Sequence, residues 1–354
     1  MTGSLDTLRV AIAGCHRMLD TLPRGHNWAN GFARVPETAV VAVFDKGAET
    51  REEFRSVWKD TWGDIPGYGD YGKMLAETKP DIVCVTTRQT MHADQIEAAV
   101  AAGVKGIACE KPFATSLEEA DRIVSACRGA GVPLAYLLDR RWSAAYGAVR
   151  KLISEGNIGP VTNVVAFGAS NLINHGPHWY DTALALAGDA EPVWTSGHVD
   201  ALPGEPADSR RHMDPPGRSW TLLSNGAHIV TMPEGPARLA FNVYGTDGGL
   251  VSLNEAHDSY YWRNDADGGV PAGEPRPVEV PGDEEEWPAG RAAVQDLVDA
   301  VRSGGQTACD LDEARRATEI GFAIHASHRA GGARMDLPLA DRTLRVESFP
   351  WGNE

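Results

Sequence analysis

The first 140 or so residues of this 354-residue chain repeat one pattern: a short apolar run, a turn, then a helical stretch. The runs are Leu8–Ala13 and residues 39–44, 81–85, 107–109 and 134–138. They are largely apolar without alternation, as strands covered on both faces must be. Between them lie helical segments at 49–58, 71–77, 91–102 and 117–128. Ser116 with Glu119 makes a capping box for the last of these, and Gly129 is its expected stop. Strand and helix in alternation predict an α/β fold with a doubly wound parallel sheet. Sheets of this class bind ligands beyond their carboxyl ends, so the residues just after each run are the first candidates for function.

After residues 107–109 come Glu110, Lys111 and Pro112. Pro112 fixes its own φ, lacks a donor and biases Lys111 toward an extended backbone, which stops the strand and holds Lys111 at the sheet edge. A partly desolvated ammonium there can donate a hydrogen bond or move a proton; on this stretch alone a plain surface lysine fits equally well. Gly14 follows the first run, where a G-x-G-x-x-G fingerprint would begin, but its second and third glycine positions are His16 and Leu19. The fingerprint is broken, and a polar connection runs on to a helical segment at 27–34. Asp45 ends the second run. A carboxylate there accepts from ribose hydroxyls and repels a 2′-phosphate, favouring NAD, although Lys46 beside it leaves NADP open and a strand-end Asp is also a common helix cap.

Composition removes several classes. Lys+Arg 33 against Asp+Glu 49 gives −16, which argues against a nucleic-acid or anionic-membrane partner. No run of 18 apolar residues occurs, and the first residues lack the shape of a signal peptide, so a cytoplasmic location with no membrane partner is expected. The five cysteines (Cys15, Cys84, Cys109, Cys127, Cys309) are odd in number and scattered without a C-x-x-C pair, which reads as buried thiols with no metal site.

Beyond residue 140 the pattern changes. A helix at 144–155 precedes strand-like segments at 161–167, 193–199, 220–223, 228–232, 239–244 and 250–253. Several alternate polar with apolar, as an open, mostly antiparallel sheet with one wet face should. Residues 203–218 and 265–286 read as loops, and helices at 291–302 and 311–329 close the chain. The expected domains are 1–139, 140–330 and a tail at 331–354 returning toward the first. Within the second, Asn174 to Asp181 opens a helix with Pro177 in its first turn. His178, Asp181 and Thr182 share a face, and a histidine beside a carboxylate can serve as a general base; a buried His–Asp pair fits the same spacing.

Glu110-Lys111-Pro112, Thr86-Thr87, His92 opening a helix, Arg140-Arg141-Trp142 and His178-Trp179-Tyr180-Asp181 occur in an order that resembles the Gfo/Idh/MocA family of NAD(P)-dependent oxidoreductases over nearly the whole chain. The resemblance implies a Rossmann-type doubly wound domain followed by an α+β domain with a large, mostly antiparallel open sheet. It implies NAD binding by Gly14, Cys15, His16, Asp45, Thr87, His92 and Glu110. It places catalysis on Lys111, His178 and position 174, with substrate contacts from Lys111, Arg141, His175, Tyr180 and Asp181. The implied activity is hydride transfer on a sugar, inositol or related polyol by a homodimer or homotetramer. Where the family pattern D-x-x-x-H has an aspartate, this chain has Asn174, which can hold a hydroxyl but cannot take its proton. That change and the broken fingerprint keep other readings open: glycoside cleavage or epimerisation with a retained nicotinamide, a cofactor-free acid–base lyase or hydrolase, or a non-catalytic sugar sensor.

Overall fold

The computed structural model describes residues 7–200, 213–235, 239–264, 273–282 and 285–347. In chain order the first elements are β1 (Leu8–Ala13), α1 (Trp28–Phe32), β2 (Thr38–Phe44), α2 (Ala48–Val57), α3 (Lys59–Trp62), β3 (Gly67–Tyr68), α4 (Tyr71–Thr78), β4 (Ile82–Val85), α5 (His92–Ala101), β5 (Gly106–Cys109), α6 (Leu117–Ala130) and β6 (Leu134–Tyr136). Then follow α7 (Ala144–Ser154), β7 (Val161–Phe167), α8 (Gly176–Leu186), β8 (Pro192–Val199), β9 (Gly217–Leu223), β10 (His228–Met232), β11 (Ala240–Gly245), β12 (Gly248–Leu253), β13 (Asp258–Arg263), β14 (Arg276–Pro277), α9 (Pro288–Ser303), α10 (Leu311–Arg329) and β15 (Met335–Asp336). The described residues fall into two compact units, one within 1–114, 118–142 and 283–314, the other within 115–117, 143–282 and 315–354.

The first unit is built on a parallel sheet in the order β3-β2-β1-β4-β5-β6, the doubly wound arrangement that the sequence predicts. Strand order reverses between β1 and β4, and at such a switch point a crevice opens beyond the strand ends. β4 and β5 are buried at every residue, which explains their unbroken apolar runs. α6 runs past the expected stop at Gly129: no atom lies near a Cβ built there, and Gly131 takes the left-handed turn instead, at φ +66°.

α9 groups with this first unit, unlike the division expected from chain order. Its stripe of Ala293, Val294, Leu297 and Val298 has no exposure and joins the core of Val10, Ile12, Trp28 and Phe32. The physical reason is that α1 is only five residues long and leaves sheet uncovered, so a late helix completes the layer. A Cβ on Gly31 of α1 would meet the Gly290 carbonyl oxygen of α9 at 2.8 Å, so the two helices touch backbone to backbone. The tail beyond residue 314 groups with the other unit, where β15 pairs with β8 and the Val346 amide donates to the Thr115 carbonyl at 2.9 Å.

The second unit carries a nine-stranded sheet ordered β14-β13-β12-β11-β7-β10-β9-β8-β15. β7 and β10 run parallel and the other neighbours antiparallel, so the sheet is mixed and mostly antiparallel. β13, β14 and β15 are not anticipated by the sequence; β14 and β15 are two residues each, too short to show a period. β14 lies inside the stretch read as a loop at 265–286, of which 265–272 and 283–284 fall outside the described residues, as do 203–212 of the other expected loop. α8 lies against β7 and β10 and is buried nearly all round, with Trp179 and Tyr180 among the largest fully buried side chains. Trp220, Tyr244 and Tyr260 remain exposed on strands of this sheet. All five cysteines are buried and none forms a disulfide, and among the described residues no helix is long and apolar enough to cross a membrane.

Candidate active site

In the first unit, the expected cofactor residues collect at the carboxyl edge of the sheet. Gly14 adopts φ +100°, and a Cβ there would lie 2.6 Å from the Thr86 carbonyl carbon, so the ends of β1 and β4 meet main chain to main chain. Thr86 Oγ1 bridges the gap by donating to the carbonyls of Ala13 and Gly14 at 3.0 and 2.6 Å. Asp45, at the end of β2, accepts the Cys15 amide on Oδ2 at 2.8 Å and the Gly47 amide on Oδ1 at 2.9 Å. The Cys15 thiol is buried; desolvation, reinforced by the Asp45 carboxylate, pushes it far above the usual thiol range. Cys15 therefore contributes main chain rather than a reactive sulfur.

His16–Met18 forms a single 3₁₀ turn with His16 exposed and Met18 buried, pinned by the Trp58 indole, which donates to the Met18 carbonyl at 2.7 Å. The inserted residues then fold around two buried asparagines. Asn30 Nδ2 donates to the carbonyls of Asp20 and Gly25 at 2.9 and 2.5 Å, its Oδ1 accepts the Leu22 amide, and Asn27 Nδ2 also reaches the Asp20 carbonyl at 2.9 Å. Gly25 has no alternative here, because a Cβ would sit 1.7 Å from the Asp20 carbonyl oxygen. Asn27 caps α1 itself through the Asn30 amide, at 3.1 Å.

At the neighbouring strand ends, His92 has no exposure: its Nε2 faces the Thr87 carbonyl at 3.1 Å and its Nδ1 the Phe113 carbonyl at 3.3 Å. Burial lowers its pKa, and with both nitrogens committed to main chain it shapes the edge rather than presenting a free ring. Thr87 spends its hydroxyl proton on Gln95 Oε1 at 2.6 Å. Glu110 accepts the Lys111 amide at 2.9 Å, and burial raises its pKa. Lys111 is pushed down to about 8 by burial, against the pull of Glu110 and Asp139 and with help from Arg17 and Arg140. Arg140 is expected as a wall residue of the site, whereas Arg17 and Asp139 are charges that the sequence reading does not single out; they act on Lys111 by tertiary placement, which no local spacing reveals. Arg141, on the 3₁₀ turn Asp139–Trp142, is buried.

A dinucleotide is what such an edge holds, and the residues fit one at three points. The close Gly14–Thr86 approach keeps side chains off the end of β1, the Asp45 carboxylate ends β2, and Lys111 with Glu110 ends β5; these are the groups that could hold one. The helix N-terminus that usually faces the pyrophosphate is displaced by the insert, so Arg17 and the 3₁₀ turn take that position in sequence.

In the second unit, the other expected residues cluster at the start of α8. Asn174 is fully buried. His175 is held twice, its amide donating to Asn171 Oδ1 at 2.6 Å and its Nδ1 lying 2.9 Å from Ser170 Oγ. The His178 amide donates to the His175 carbonyl at 2.9 Å, and the Thr182 hydroxyl donates to the His178 carbonyl at 2.7 Å, so the expected i, i+4 face exists. Asp181 is 1% exposed and His178 only half-buried, the most accessible residue of the α8 first turn. Tyr180 is fully buried with its ring against Gly176, and burial raises its phenol far above the usual range. The sequence reading missed Asp214, whose carboxylate accepts the amides of Leu172, Ile173 and Asn174 at 2.9, 2.8 and 3.0 Å. Forty residues separate it from that turn, and no periodicity marks it.

Residues 8–137 match the profile of the Gfo/Idh/MocA oxidoreductase family, NAD-binding Rossmann fold. A D-apiose dehydrogenase of Paraburkholderia graminis is 40% identical over 92 residues, 26% of this chain and 24% of that protein. A D-glucoside 3-dehydrogenase of Escherichia coli is 26% identical over 200 residues, 51% of this chain and 54% of that protein. The chain thus spans about half or less of the length of these curated relatives. An aldose-aldose oxidoreductase from Caulobacter crescentus, solved with glycerol, shares the fold at a TM-score of 0.74 and 20% identity, covering 94% of this chain and 100% of that one. A doubly wound sheet with Gly14 at its switch point, an Asp45 strand end and a Glu110-Lys111-Pro112 exit lies within residues 8–137, the stretch that matches the NAD-binding Rossmann fold of the Gfo/Idh/MocA oxidoreductase family.

Proposed function

We propose that this protein is a dehydrogenase that oxidises a CH–OH group of a sugar, inositol or related polyol with NAD. The observation that carries the reading is Lys111: a half-buried amine at a parallel-sheet carboxyl edge, beside the buried Glu110, with its pKa lowered to about 8 by desolvation. A nicotinamide held at the strand ends of Gly14, Asp45 and Glu110 would supply the hydride acceptor. The chain's own residues handle the rest: Lys111 donates to the oxygen that becomes an alkoxide, His178 takes the hydroxyl proton, and Asn174 and His175 hold neighbouring hydroxyls. The dehydrogenase names of the curated relatives support the same reaction class.

Asp45 favours NAD over NADP. Its oxygens are fixed by the Cys15 and Gly47 amides, so its charge cannot swing away from a 2′-phosphate. Association as a homodimer or homotetramer is supported by the exposed Trp220, Tyr244 and Tyr260 on the second sheet. The test is NADH formation from NAD across a panel of aldoses, inositols and anhydrosugars. Turnover with at least one of them is expected; bound nicotinamide without net NADH would instead indicate chemistry in which the cofactor is re-reduced within each cycle.

A further inference from the structure

Asp214 has no place in the reading above, and its surroundings are unusual. One buried carboxylate takes three consecutive main-chain amides, with Oδ1 serving Leu172 at 2.9 Å and Ile173 at 2.8 Å and Oδ2 serving Asn174 at 3.0 Å. Three successive N–H groups directed at one anion form a nest, and hydrogen bonds to an ionised acceptor are roughly twice as strong as neutral ones. The same turn is clasped from the other side by α10, where Gly321 leaves only 2.8 Å between its would-be Cβ and the Leu172 carbonyl oxygen. His325, also on α10 and buried, brings Nε2 to 4.0 Å from Asp214 Oδ1. Asn171 then anchors His175, and the His175 carbonyl receives the His178 amide. The path from Asp214 to His178 therefore runs through main-chain amides held by two side chains, Asp214 and Asn171, and one main-chain bond.

We infer that Asp214 is a positioning residue: by fixing the amides of Leu172 to Asn174, its carboxylate sets the direction in which Asn174 and His178 meet the substrate. This inference rests on the proposed function, since it presumes that those two side chains touch the polyol. It also accounts for the asparagine. An aspartate at position 174 would bring a second buried carboxylate to the residue whose amide already binds Asp214, and like charges at that range disfavour both being ionised. With Asn174 the turn carries one negative charge, held by main-chain amides, and a neutral side chain in place of a second carboxylate.

The test uses Asp214→Asn and Asp214→Glu in the full-length chain. In Asp214→Asn the Nδ2 group opposes an N–H donor, so at least one of the three bonds is lost while volume is kept. Expected results are a fall in kcat of tenfold or more with a smaller change in KM, an enlarged kinetic isotope effect with carbinol-deuterated polyol, and an NADH dissociation constant within twofold of wild type. Asp214→Glu, which keeps the charge, should recover part of kcat. Two results overturn the inference. One is kcat and KM of Asp214→Asn within twofold of wild type. The other is a loss that disappears when rates are divided by the NADH-binding fraction, which would make Asp214 a folding residue only. A wild-type protein that turns over no polyol with NAD would remove the proposed function, and the inference with it. An active wild type with an indifferent Asp214→Asn would remove the inference alone.

Discussion

Lys111→Met should make the protein more stable while abolishing its activity. In the native chain the Lys111 amine titrates near 8 instead of the ordinary 10.5, because burial penalises its charged form. Such a depression corresponds to about 3 kcal/mol of folding free energy forgone at neutral pH. The sign follows from proton counts. Between about pH 8 and 10.5 the unfolded chain holds a proton at Lys111 that the folded chain has released, so stability rises with pH across that window. Below pH 8 the whole cost is present. Methionine fills similar volume without a charge, but it also withdraws a counter-charge from Glu110, so the net gain at pH 7 should be about 1–2 kcal/mol. For a chain of this size that is a rise in Tm of a few °C. The assay is thermal unfolding of wild type and variant at pH 6.5 and at pH 10, followed by a probe in the first unit, because a protein of two units need not unfold in one step. The variant's advantage should shrink toward pH 10. Destabilisation at pH 6.5, or a difference independent of pH, would show that Lys111 is held by a favourable ion pair and would refute the reasoning.

Further perturbations test individual parts. Asp45→Ala leaves the Cys15 and Gly47 amides without their acceptors and should weaken NADH binding about tenfold or more while narrowing the preference for NADH over NADPH, measured by quenching of protein fluorescence. Gly25→Ala cannot be accommodated 1.7 Å from a carbonyl oxygen, so it should disorder the insert, lower Tm and weaken NADH binding without altering the second unit, as read by hydrogen exchange. Leu297→Ala on α9 should cost about 2–5 kcal/mol in the first unit, and a negligible change in denaturant midpoint would contradict the placement of that helix in its core.

Much of the first unit was legible because buried parallel strands leave unbroken apolar runs, and Gly, Pro and acidic residues mark where they end. The sequence therefore placed Gly14, Asp45 and Lys111 at the correct strand ends. It did not place α9, because an amphipathic stripe such as Ala293 to Val298 says that a helix has a buried face but not which sheet receives it. Gly129 misled for a local reason: a glycine inside a helix and one that ends it look alike until φ is known. In the second unit, His178 and Thr182 were found by helical spacing. Asp214 was not, since a carboxylate that binds main-chain amides forty residues away leaves no periodic trace. His92 and Tyr180 were noticed as site residues, yet their polar atoms lie in the interior, where sequence cannot tell a wall from a strut.

The most direct test of the central claim, that Lys111 and His178 serve one substrate oxygen, is a double-mutant cycle on kcat with Lys111→Ala, His178→Ala and the double variant, each checked for NADH binding. The account predicts that each single change costs about 10²–10⁴ in kcat and that the double variant is little worse than the poorer single one, as for groups acting as a unit. Losses that multiply independently, or wild-type kcat in either single variant, would contradict it.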